Sequence, residues 1–171
     1  MTNSASKGKT IFIWVQVIAG VVAIIISILS YWNSNETAKK QDINDIASKI
    51  SSSLAFFNIN DGDTLSQSDS NYTVKGLIDN HIPTQYKLFA LLRIGNVYNI
   101  MHSNPIKIMN KKGAWQNEYY IGIKGNVSLC VALCDEQSSQ ILEAKINAGQ
   151  SQLQGLLDGM TTLGSVNVYK K

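Results

Sequence analysis

Residues able to transfer protons, attack a carbon or hold a metal are few in this chain, and their spacing is uninformative. The two histidines, His81 and His102, stand before Ile82-Pro83 and before Ser103-Asn104-Pro105, so both are expected in loops. Neither has a metal-ligand or nucleophile partner at a recognised spacing. Cys130 and Cys134 are four residues apart, which is neither a C-x-x-C redox spacing nor half of a zinc site. In an oxidising compartment the pair could form a disulfide; equally, they could be two small buried hydrophobes. Asp61, Asp63 and Asp69 fall in a run of turn formers. They lack the ligand order and late bidentate glutamate of a calcium loop, so a solvated turn is expected. Asp135-Glu136 reads as a solvated acidic pair at a helix end. No phosphate-binding, dinucleotide or serine-hydrolase motif appears, so no catalytic residue, metal or cofactor is assigned, and an enzyme is not expected.

Composition narrows the partners. The net charge is only +3, with one arginine, Arg93, and lysines scattered from Lys7 to Lys171. Nucleic-acid binding needs a denser basic stripe interleaved with aromatics, so no nucleic-acid partner is expected. Three asparagine sequons, at Asn35, Asn71 and Asn126, carry little weight in a chain so rich in asparagine and serine.

The strongest signal is physical rather than chemical. Residues 11–32 form a run of about 22 residues without a charge, enough at about 1.5 Å per residue to cross a hydrocarbon layer of roughly 30 Å. Phe12 and Trp14 stand at one end, Tyr31 and Trp32 at the other, as aromatics do at two interfaces. The run is too long for a secretory signal core and ends without a small-residue cleavage pattern. Lys7 and Lys9 before it, and mixed charges after it, favour a cytoplasmic N-terminus and an exported C-terminal part.

Beyond the run, apolar residues recur at Ile43, Ile46, Ala47, Ile50, Leu54 and Phe57, in steps of three and four that make one helical stripe. No proline interrupts residues 10–57, so one helix of about 48 residues, half in lipid and half amphipathic, is expected. Its weakest point is residues 33–35. The expected organisation is a short basic segment or leader at 1–10, a transmembrane helix at 11–32, its amphipathic continuation at 33–57, and an exported domain at 58–171. In that domain, residues 73–82 read as a short helix stopped by Pro83, and 86–92 as either a helix or a buried strand. Residues 105–109 and 119–124 read as a hairpin with a longer loop through 110–113 and Asn117, and 127–134 as a helix with Leu129, Leu133 and one or both cysteines inward. Residues 141–147 alternate like a half-buried strand, and a glycine-rich stretch, 149–164, leads to a last strand at 166–169. The fold class is α+β, with the amphipathic half of the long helix laid on a small antiparallel sheet.

This organisation resembles the type IV pilins, and its details lean towards the type IVb branch. The resemblance rests on the half-anchor, half-spine helix and on the 76–83 segment ending in Ile82-Pro83. It rests further on Asn104-Pro105 before a hairpin, a cysteine-bearing helix at Cys130, the 141–149 strand and the closing 166–169 strand. It implies a structural or accessory subunit of a pilus or secretion filament at a bacterial inner membrane, with pilin subunits or assembly machinery as partners. Pilin leaders end in glycine, so the resemblance points to Gly8 and Lys9 as the processing site. Counting from Lys9 puts Ile13, and counting from Phe12 puts Gln16, where the family usually carries glutamate. The family's disulfide joins a mid-domain cysteine, matched by Cys130, to one near the C-terminus that nothing after Cys134 matches. A minor or divergent pilin-like subunit is the form implied. On its own terms, Gln16 with Gly20 one turn on is a candidate helix-packing patch. The alternative to filament assembly is a signal-anchored bitopic protein whose exported domain binds a partner.

Overall fold

The computed structural model describes residues 4–78 and 81–171, with side chains from Gln16 onward except those of Glu36, Asp79 and Asn80. It divides into two compact units, Met1–Lys39 and Lys40–Lys171, each described by itself. The chain is α+β, with a long N-terminal helix, α1 (Ser4–Ser51), whose last turns pack on largely antiparallel sheets.

In the first unit, from Gln16 to Asn35, every described side chain is exposed, including Val17, Ile18, Val21, Ile24, Ile25 and Leu29. This stretch of helix is long and apolar enough to cross a membrane. Within it, Ser27 Oγ satisfies itself locally by donating to the Ala23 carbonyl at 2.8 Å. Candidate packing residues Gln16 and Gly20 are both exposed, and a Cβ added at Gly20 would meet nothing within 4 Å. Gly8 and Lys9 lie outside the residues whose side chains are described.

The second unit begins with the end of α1, where Ile43, Ala47 and Ile50 are buried and Ile46 partly so. The helix stops at Ser51, short of the expected Phe57. Ser53 N–H and Oγ both bond to the Ile50 carbonyl, a serine-rich fray in which side chains compete for the last backbone acceptors. Leu54 still packs on the core, but Phe57 is 61% exposed and leaves the stripe.

Nine strands follow among the described residues. A three-stranded antiparallel sheet has the order β1 (Ala55–Phe56), β3 (Asn71–Leu77), β6 (Ala114–Tyr120). A six-stranded sheet has the order β2 (Thr64–Leu65), β9 (Met160–Lys170), β7 (Gly125–Cys134), β4 (Lys87–Ile94), β5 (Val97–Ile100), β8 (Gln152–Leu153), antiparallel throughout except for β2 beside β9. The helix α2 (Glu136–Asn147) lies between β7 and β8 in sequence.

The core alternates with the pleat. Leu88, Ala90 and Leu92 of β4, with Val127, Leu129, Val131 and Leu133 of β7, join Ile43, Ala47, Ile50, Val74 and Trp115 in one cluster. Phe89 and Leu91 of β4, with Cys130, Ala132 and Cys134 of β7, join Leu142 of α2 in the other. The central strands are thus covered on both faces, as period-two side-chain direction allows. That double burial corrects the expectation of a helix at 127–134. A strand wet on neither face shows no polar alternation, and its apolar run imitates a buried helix. Residues 87–94 resolve the open choice at 86–92 in favour of a strand for the same reason.

Residues 141–147 reverse the error, for they are helical, within α2. Asp135 is the N-cap, its Oδ1 accepting the Ser138 N–H at 2.7 Å, and Ser138, Ser139 and Leu142 share the buried face. The expected helix at 73–82 is instead β3 as far as Leu77, because Val74 and Gly76 alternate inward; Asp79 and Asn80 of that segment lie outside the described residues. The 110–113 part of the expected hairpin loop is a turn, with Asn110 Oδ1 accepting the N–H groups of Lys112 and Ala114, whereas Asn117 lies within β6. The hairpin's second strand is β6 at 114–120 rather than 119–124. The last strand begins early, at Met160, and contains 166–169.

Two contacts tie the small sheet and the C-terminus into the unit. Trp115 stacks edge-on against Phe56, with ring centroids 5.6 Å apart at 85°. Gly76 leaves room for that ring, since a Cβ there would lie 2.3 Å from the Ala55 carbonyl oxygen and 2.4 Å from the indole. At the other end, buried Lys170 donates Nζ to the carbonyls of Ser66 and Asp69 and to Tyr72 Oη, fastening the 66–70 loop to β9. Replacing Gly76 by alanine therefore overpacks the Trp115 site, and Gly76→Ala is expected to destabilise the domain by about 1–3 kcal/mol, read as a lowered midpoint in thermal or denaturant unfolding.

Candidate functional site

The residues whose types could do chemistry do not converge. His81 stands exposed near Ile82, Asn110 and Lys111, beside a cavity of about 370 Å³. Asp61 Oδ1 accepts the backbone and side-chain N–H groups of Asn167 at 2.8 and 2.9 Å, and Asp63 Oδ2 accepts the Asn60 N–H at 2.7 Å. The two carboxylates thus close a turn against β9. Among the described residues, no group of histidine, cysteine and carboxylate side chains is placed to hold a metal.

Cys130 and Cys134 are free thiols, and the disulfide weighed for them does not form. Four residues along an extended strand put their Cα atoms about 13 Å apart, roughly twice the reach of a disulfide. Both point into the α2 side of the core. Burial pushes the Cys130 thiol up to about 11, with nearby Arg93 opposing the rise, and burial raises Cys134 as well. Tyr119 is fully buried and donates its hydroxyl to the Cys130 carbonyl at 2.8 Å, and burial raises its phenol too.

A groove of about 740 Å³ opens in the second unit. Its apolar lining includes Leu92 and Ile94 of β4, Val97 of β5, and Ile123; Glu118 and Tyr120 of β6 and the turn at His102 and Ser103 supply the rest of its character. The turn is held by Asn104, whose amide both accepts from the Ala90 N–H at 2.6 Å and donates to the Ala90 carbonyl at 2.8 Å. The Asn104-Pro105 peptide is cis. After it, Ile106 bridges Leu88 of β4 and Ile108 bridges Trp115 of β6, so the 106–108 segment is wedged between the two sheets. Ser103 Oγ donates to the Glu118 carbonyl at 3.1 Å, and the groove opens next to that contact.

His102, Ser103 and Glu118 are residue types of a hydrolytic triad and share this groove. Their bonding is different, because the Ser103 hydroxyl is spent on a backbone carbonyl and no hydrogen bond joins it to His102. The arrangement lacks the nucleophile–base contact on which such chemistry depends. What the groove offers instead is a pocket within the size range of ligand sites, apolar with a few polar groups. Sequence reasoning placed His102 in a loop but did not find Glu118 or Tyr120, which are linked to it only by the pairing of sheets far apart in the chain. The available signal was Asn104 before a proline, a turn former whose side chain can substitute for a strand.

No protein-family model matches the chain, and no curated protein matches it.

Because their thiols stay protonated and enclosed, Cys130 and Cys134 are expected to resist a maleimide at pH 7 and to react fully once the protein is unfolded in guanidinium, as counted by mass spectrometry. Raised thiol and phenol values have a further consequence. The native state holds protons that the unfolded chain releases, so this contribution to stability is intact below about pH 9 and declines from there towards about pH 11, the Cys130 window. Unfolding midpoints across pH 7 to 11 test it; a stability flat over that range contradicts the burial.

Proposed function

We propose that this chain is a single-pass protein of a bacterial inner membrane whose exported β-rich domain works by binding another protein rather than by catalysis. The observation that carries the reading is the helix α1. Its residues 16–35 are bare and apolar, whereas Ile43, Ala47 and Ile50, farther along the same helix, are core residues of the domain. An element that is at once membrane span and core element suits a domain that must be presented at a membrane surface. The groove beside β6, open and without a nucleophile–base pair, supports binding over turnover.

A second reading, the pilin-like filament subunit, is favoured by that same division of one helix into a bare apolar half and a packed half, with Gly20 open to close approach by a neighbouring helix. Against it stand the cysteine-bearing segment and the 141–149 segment, which are strand and helix where the resemblance requires helix and strand. The anchored binding module is therefore the leading reading.

Two experiments test this. Val21→Asp with Ile25→Asp places two charges in the middle of the span, each costing about 2.5–3.5 kcal/mol there; the full-length variant is expected to leave the membrane fraction on carbonate extraction, while the parent remains. Photo-crosslinking separates the two roles. A benzophenone amino acid at Tyr120 is expected to give one discrete adduct with another protein, and one at Val17 none. A ladder of self-adducts from Val17 would instead establish the filament reading.

A further inference from the structure

We propose that the groove beside β6 takes an extended peptide segment of a partner protein as an added β-strand, with a lysine or arginine of that segment set against Glu118. The proposal rests on the binding-module reading and names the kind of partner it requires.

The argument begins with the direction of backbone groups. In an antiparallel pair, a residue's N–H and C=O point to the same side, and successive residues alternate sides. Ile78 donates its N–H to the Gly113 carbonyl at 2.9 Å and Ile121 donates to the Ser70 carbonyl at 2.8 Å, so the odd-numbered residues from 113 to 121 address β3. Ala114 accepts the Met109 N–H at 2.7 Å on the opposite side. The even-numbered residues 116, 118 and 120 therefore turn their backbone groups outward. The 106–108 segment covers the start of this edge at Trp115, and Ser103 takes the Glu118 carbonyl. The Glu118 N–H and both backbone groups of Tyr120 have no hydrogen-bond partner among the described residues, and both residues are exposed.

This edge differs from the others. β1, β2 and β8, which end the remaining sheet margins, are two residues long, a usual way of keeping a sheet from recruiting foreign strands. β6, which ends the fourth margin, has seven residues. The native chain already fills its first half with the wedge at 106–108, and the vacant half runs on along the groove.

The chemistry of the vacancy specifies the occupant. Outward donors and acceptors at the spacing of a sheet ladder are satisfied by an extended backbone. The apolar lining at Ile94, Val97 and Ile123 suits every second side chain of such a strand. Among the lining residues Glu118 carries the one carboxylate, no lysine or arginine lines the groove, and no salt bridge engages Glu118 among the described residues. Charge complementarity therefore selects a basic residue.

The test uses the full-length protein in nanodiscs, panned against a displayed library of random decapeptides. The expected result is enrichment of peptides that alternate apolar residues around a lysine or arginine. As synthetic peptides these should lose at least tenfold in affinity when backbone N-methyl groups are placed on alternate residues along one edge, and little when placed along the other. Glu118→Lys should weaken them at least tenfold, and Tyr120→Pro, which deletes an outward donor, should abolish binding. Should Tyr120→Pro misfold, the N-methyl series decides with the protein unaltered. Peptides that bind regardless of N-methylation and of Glu118→Lys, or a library that enriches nothing over empty nanodiscs, overturn the proposal; a small molecule as occupant would give the latter result. If the Tyr120 crosslink yields a partner while the edge proves inert, the added strand is wrong and the binding module stands; if the Tyr120 adduct is absent too, both fall.

Discussion

Two strands at the centre of the larger sheet, β4 and β7, are apolar on both faces, and a sheet with two apolar faces needs two covers. From Leu88 to Leu92 and from Val127 to Cys134 every side chain is buried. One cover is α2, through Leu142. The other is assembled from the last turns of α1, the small sheet and Trp115. Fully burying an aliphatic side chain is worth about 1.5–3 kcal/mol, so Ile43 and Ile50 together, with Ala47 between them, contribute an amount that is a large fraction of the marginal stability of a domain. The helix that carries the apolar span is in this sense part of the domain's own fold.

That demand for covers also explains the peripheral architecture. The small sheet can lie over β4 only if Gly76 lets the Trp115 ring through and the 106–108 segment bridges the gap. Bridging stops at Ser103, and the groove is what remains where the cover is incomplete. Buried Lys170 closes the opposite end by donating to the Ser66 and Asp69 carbonyls and to the Tyr72 hydroxyl. The site is therefore a consequence of how the sheets are joined rather than an addition to them.

The fold class, the long helix, the stripe at Ile43, Ala47 and Ile50 and the turn at 110–113 could be read from the amino-acid sequence because each is written in local spacing. The elements that could not be read share one cause. Residues 127–134 lack alternation because both faces are dry, and residues 141–147 alternate by accident while Asp135, the cap that marks a helix start, has the look of a solvated acid in the sequence. Gly76 looked like part of a short helix because the ring it accommodates lies 39 residues later in the chain. The groove depends on Ser103, Glu118 and Tyr120 meeting through long-range pairing, and local patterns carry no trace of that.

The central claim is that the residues of α1 from Ile43 to Ile50 are structural members of the domain core. Amide hydrogen exchange on the full-length protein in a bilayer mimic tests it most directly, since amides opened only by global unfolding share one free energy. The account predicts that the amides of residues 43–50 exchange as slowly as those of Leu129 to Leu133 and speed up together with them under mild denaturant. Rapid exchange at residues 43–50 while β7 stays protected would contradict it.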